Sequence, residues 1–276
     1  MKNLNNHSNS FESSTVLDSS KLITFRTLPA VAGFYWVYRG WLLFINKPWA
    51  ILFAVTTLYA INLTLAVIPL IGPILSFILN PALHLGLIGI IAVRIAPTQE
   101  SKLKQLLAVF YHPKILNKML RLGCAYSASI IISMLLSMGL AGSDFLDMQQ
   151  KIVDNTANIN DAAVQAIMIG GLMYIIPTML LVVLLFWFTN QLVGWHGQSI
   201  RKALFFNIMA VWRNRLAFIV YITSCFAISV GLVLLTTLLP ADINIRVLTL
   251  PAILVFISWF LCSIYATYES MVQIIE

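Results

Sequence analysis

His84 is the single titratable side chain deep inside one of the long apolar runs of this chain, and Asn80 stands four residues before it with Pro81 between them. An imidazole and a carboxamide can each donate and accept hydrogen bonds, so two such groups on one helix face could line a path for a polar solute. They could equally tie neighbouring helices together. Pro81 removes a backbone donor and should kink the helix. The stretch from Asn80 to Gly86, NPALHLG, is therefore the best place in the sequence for a broken helix that exposes backbone groups to a substrate, with a simple kink as the plain alternative. Other chemistry is missing. No Asp or Glu lies within the apolar runs, which argues against a proton-coupled carrier, because such relays need carboxylates at membrane depth. There is no HExxH, no GxSxG, no phosphate-binding glycine loop and no paired carboxylate, so no enzyme is expected. His7, His84, His112 and His196 have no metal-ligand spacing, and no cofactor is implied. Cys124, Cys225 and Cys262 all fall in apolar runs and read as small buried hydrophobes.

Elements that hold polar groups among so many apolar ones must cross a membrane. Hydrophobic residues make up 60% of the 276-residue chain and charged residues 10%. A soluble domain carries roughly 45–50% and 25%. The expected fold is an all-α integral membrane protein with six transmembrane helices, at about 49–71, 74–96, 122–141, 164–188, 216–239 and 247–268. Each run is near the roughly 20 residues that span about 30 Å of hydrocarbon. Prolines at 69 and 73 around a glycine close the first pair as a tight hairpin, and the whole domain, 33–276, is expected as three hairpins. Residues 1–32, rich in Asn and Ser, read as a disordered cytoplasmic tail.

Before spans 1, 3 and 5 the same pattern recurs. Aligned without gaps, Tyr38, Trp41, Leu42, Phe44 and Ile45 match Leu103, Leu106, Leu107, Val109 and Phe110, then Phe205, Ile208, Met209, Val211 and Trp212. Positions between them, among them Asn46, Gln105, His112, Asn207 and Asn214, form a polar face, so each copy reads as a basic amphipathic helix lying on the membrane interface. Fifteen of the 17 Lys and Arg fall on one side of the expected spans, which places both termini in the cytoplasm. Arg39, Lys47, Lys102, Lys104, Lys114, Lys118, Arg201, Lys202, Arg213 and Arg215 are the expected contacts for anionic lipid headgroups. Because these cations flank apolar runs, no nucleic-acid partner is expected; the other partners foreseen are another membrane protein or a second copy of the chain.

Residues 33 to 270 resemble an uncharacterised family of six-span inner-membrane proteins of proteobacteria. The resemblance rests on RGWLLFINKPW from Arg39, IPLIGPILSFILNPALHLG from Ile68 and SIRKALFFNIMAVWRNRLAFIVY from Ser199. At Asn46, Lys47 and Pro48 a lysine is inserted into the family's Asn-Pro pattern. The resemblance implies six helices and an inner-membrane location, and brings no activity. Two functional readings follow from the residues: a non-enzymatic scaffold, assembly or regulatory protein, or a facilitator or exporter of a small amphipathic solute with its path near Asn80, Pro81 and His84.

Overall fold

The computed structural model describes residues 22–69, 71–92, 102–154, 156, 158, 161–237 and 245–275. It opens with strand β1 (Leu22–Phe25) and helix α1 (Ala32–Asn46), followed by α2 (Pro48–Ala66) and α3 (Ile71–Ile91). A short helix α4 (Lys102–Leu106) and a 3-10 turn (Ala108–Tyr111) lead into α5 (Pro113–Ala141), α6 (Ser143–Val153) and α7 (Ala162–Leu185). Then come α8 (Thr189–Gly194), α9 (Ile200–Arg213), α10 (Arg215–Thr237), α11 (Ile245–Met271) and strand β2 (Val272–Ile275). Six of these helices, α2, α3, α5, α7, α10 and α11, are long and apolar enough to cross a membrane.

Their bounds differ from the sequence expectation in instructive places. The third span begins at Pro113 rather than near Leu122, because proline at the first helical turn gives up only an amide that would have had no partner. At 29 residues α5 is about 43 Å long and outruns the hydrocarbon, so Lys114, Lys118 and Arg121 ride on the helix rather than in a loop. The expected loop 143–163 contains α6, whose Phe145 is buried against Gly171 of α7. Part of the expected tail is also built: β1 pairs antiparallel with β2, Leu22 opposite Ile275 and Phe25 opposite Val272. Residues 1–21, the stretch 93–101 with Arg94, and the link 238–244 with Asp242 lie outside the described residues.

Two of the three expected hairpins pack helix on helix. Helix α2 packs along α3, α5 along α7, and α3 joins α5. Helices α10 and α11 touch only thinly, because α1 lies between them and packs on both. Glycine permits that insertion: a Cβ on Gly40 would sit 2.6 Å from the Ser263 Cα, and one on Gly33 2.5 Å from the Ala217 carbonyl oxygen. Trp36, fully buried, locks the wedge by donating its indole N–H to Ser270 Oγ at 2.7 Å, while the Trp259 indole donates to the Val37 carbonyl at 3.1 Å. In the same way α4 seats on α2 and α3, and α9 seats on α7 and α8. Helix α4 thus packs on the pair before it in the chain, α9 on the end of the span before it, and α1 on the last pair. The register agrees, since Pro48, Pro113 and Arg215, which open α2, α5 and α10, occupy equivalent positions of the gap-free alignment. Ala54, Met119 and Tyr221 are equivalent and buried, and so are Leu58, Gly123 and Cys225.

Helix α9 turns its polar face to the protein, whereas α1 and α4 bury apolar residues as well, among them Trp36, Leu43, Phe44 and Leu106. In α1 and α9 the apolar residues Tyr38, Trp41, Ile45, Phe205, Ile208, Met209 and Trp212 are exposed, whereas Asn207 and Asn214, expected on the wet face, are 0% and 2% exposed. Gln105 of the second copy is buried too. The cause is the solvent: a membrane offers no penalty for an apolar exterior, so small and hydrogen-bonding residues can take buried positions beside apolar ones.

Candidate functional site

Three helices, α3, α7 and α11, each follow the first span of a pair, and each carries an internal proline: Pro81, Pro177 and Pro251. Where they meet, a cavity of about 140 Å³ opens, lined by Asn80, Pro81, His84 and Ile88 of α3, by Val183 to Gln191 at the α7–α8 break, and by Leu261 and Ile264 of α11. Tyr126 of α5 completes the wall. A volume of this size holds several waters or one small solute.

The break between α7 and α8 is built by a side chain from another element. Asn207 of α9 donates from Nδ2 to the carbonyls of Leu184 and Leu185 at 2.8 and 2.7 Å, and its Oδ1 accepts from the Phe188 N–H at 2.8 Å. One buried amide therefore satisfies the freed end of α7 and fixes the turn from which α8 restarts. Trp187 in this turn donates its indole N–H to Thr267 Oγ1 of α11 at 2.8 Å, and its ring meets Phe218 of α10 edge-on at 5.5 Å. Gln191 borders the cavity with its amide covered by its neighbours. It is 0% exposed, and neither its amide oxygen nor its amide nitrogen has a hydrogen-bond partner among the described residues. Such a buried, unpaired amide is costly to leave unmatched.

Asn80 and His84 both line the cavity, as the helical spacing suggested, but they do not bond each other. Asn80 Oδ1 accepts from Asn62 Nδ2 of α2 at 3.3 Å, and His84 makes no hydrogen bond among the described residues. Pro81 lies inside a continuous α3. Gln191, Asn190 and Tyr126 were not singled out in the sequence. A signal existed in the polar run Thr189-Asn190-Gln191 at the end of an apolar stretch, but it reads as a link until α8 is seen folding back into the bundle.

The ten basic residues expected at headgroups lie along the outside. Lys47, Lys102, Lys104, Lys114, Lys118, Arg201, Lys202, Arg213 and Arg215 are exposed. Several already engage the protein: Lys118 Nζ donates to the Gly197 carbonyl at 3.0 Å, Arg39 pairs with Glu269 at 3.3 Å, and Lys102 Nζ donates to Gln105 Oε1 at 3.4 Å. Lys202 lies over the Phe206 ring at 5.6 Å, and Arg215 over the Trp212 ring at 5.5 Å. All three cysteines are free; Cys225 and Cys262 are buried, whereas Cys124 is exposed on α5.

These features define a polytopic α-helical membrane protein with a mostly apolar cavity among its spans, into whose lining a few polar side chains enter. The chain is similar to a protein of Burkholderia thailandensis described as a probable inner membrane protein, with 28% identity over 257 residues that cover 87% of this chain and 90% of the relative. Together with the six spans, this similarity supports a multi-pass protein of the inner membrane. No family model matches the chain. No solved structure matches it either.

Proposed function

We propose that this chain is a non-enzymatic inner-membrane protein, with both termini in the cytoplasm, that holds a small polar solute at the centre of its bundle and facilitates its passage. One observation carries the reading: the Gln191 amide, 0% exposed and without a partner among the described residues, borders a cavity that His84 and Asn80 also line. The cavity touches the later halves of α3 and α11 and the end of α7, the ends that the charge distribution assigns to the cytoplasmic face. Basic residues on that face would sit among anionic headgroups, each contributing about 1 kcal/mol. The test is to compare the small molecules retained by the purified wild-type chain with those retained by His84→Leu and Gln191→Leu variants that fold normally. A molecule held by the wild type and lost from both variants is the expected result. Identical retention by all three would overturn the reading.

A second reading, the scaffold or assembly protein, is supported by an apolar groove of about 680 Å³ between α10 and α11, floored by Phe34, Tyr38 and Trp41 of α1. Purification in mild detergent distinguishes the two. A stoichiometric membrane-protein partner lost on substituting Trp41 would favour the scaffold.

A further inference from the structure

Resting on the solute-binding reading above, we infer that the central cavity selects a small uncharged molecule carrying a planar amide, or an equivalent donor and acceptor side by side. The lining contains carboxamides from two elements, Asn80 of α3 and Asn190 with Gln191 of α8, and His84 beside them, but no Asp, Glu, Lys or Arg. An ion brought into this space would shed its hydration without meeting an opposite charge, which the low dielectric of the bundle penalises heavily. An uncharged amide loses far less. Its N–H and C=O can meet the Gln191 Oε1 and Nε2 as a matched pair once that covered side chain turns into the cavity, and these are two atoms left without a partner among the described residues.

Asn80 adds direction, because its Oδ1 is occupied by Asn62 and its amide nitrogen is the group still able to donate. The walls set the shape. Tyr126 and Phe186 meet edge-on at 5.2 Å, and Trp187 is held by its bond to Thr267, so rigid aromatic rings border the polar groups and favour a flat ligand. About 140 Å³ limits that ligand to one small ring or less.

Three molecules of nearly one shape test the inference: benzamide, which is neutral, benzoate, which is negative, and benzamidinium, which is positive. Each is titrated by equilibrium dialysis against the full-length chain in detergent micelles, using wild type, Gln191→Leu and Gln191→Glu. Benzamide is expected to bind wild type at least tenfold more tightly than either charged analogue, and Gln191→Leu to weaken it at least tenfold. Gln191→Glu should shift the preference toward benzamidinium. If benzoate or benzamidinium binds wild type as well as benzamide does, the uncharged class is wrong although a central site stands. If none of the three binds while cell-derived molecules are still retained in a Gln191-dependent way, the amide class alone falls. If neither occurs, the solute-binding reading falls with it.

Discussion

Replacing Asn207 by alanine should do more damage than any other single polar-to-alanine change in the pre-span helices. The side chain makes three hydrogen bonds of 2.7–2.8 Å, all to backbone groups at the α7–α8 break, and is 0% exposed. Each bond contributes about 1 kcal/mol net. Without them the Phe188 amide loses its acceptor, while the Leu184 and Leu185 carbonyls keep the longer bonds from Trp187 N–H at 3.5 Å and Thr189 Oγ1 at 3.4 Å, so the expected loss is about 3 kcal/mol. For a chain of this size that corresponds to a fall in melting temperature of about 6–12 °C. The assay is thermal unfolding of the purified protein in one detergent, followed by tryptophan fluorescence, with retention of the bound solute measured on the same samples. Asn207→Asp should be worse still, because it keeps the acceptor for Phe188 N–H but sets a carboxylate against two carbonyl oxygens. If Asn207→Ala melted within about 2 °C of wild type and retained solute normally, the break would not depend on this amide and the account of how Gln191 is positioned would be wrong.

Gly40→Leu should unseat α1 from between α10 and α11, since even a Cβ would collide with the Ser263 backbone; reduced thermal stability and new protease cleavage near Ala32 are expected, with Leu42→Ala on the same helix as the control. Arg39→Ala should change stability by less than about 0.5 kcal/mol, because its ion pair with Glu269 is 35% and 42% exposed, and chemical denaturation of the two proteins side by side checks this. Reporter fusions at Gly72 and Asp147 should register outside the cytoplasm, and a cytoplasmic signal at Asp147 would reverse the proposed orientation.

The spans were legible because an uncharged run of about 20 residues has one stable solution in hydrocarbon, whereas their ends were less so. Lys114, Lys118 and Arg121 look like loop residues in sequence, yet a helix can carry them beyond the hydrocarbon with their charges in water. The amphipathic pattern located α1 and α9 and put Trp41 and Trp212 on the outside, where they are, but placed Asn207 and Asn214 in water rather than inside the protein. Periodicity finds two faces, and only the surrounding solvent decides which is buried; here the asparagines at 207 and 214 went inward and the tryptophans at 41 and 212 outward. Asn80 and His84 stood out as polar residues in an apolar run. Gln191 could not, because its place in the cavity depends on a break held by Asn207, a contact from another helix that no local pattern encodes. The insertion of α1 between α10 and α11 is equally non-local, although Gly33 and Gly40 mark the spot.

The central claim, that polar space reaches into the middle of the bundle, is tested most directly by thiol reactivity at position 84. A thiol reacts with N-ethylmaleimide as the thiolate, which forms in water and not in hydrocarbon. In a chain with Cys124, Cys225 and Cys262 replaced by alanine, His84→Cys should be alkylated in native membranes and protected by a retained solute. Ile132→Cys, on an α5 residue that is 65% exposed on the outside of the bundle, should stay unreactive until the protein is unfolded. A thiol at position 84 as inert as the one at position 132 would contradict the account.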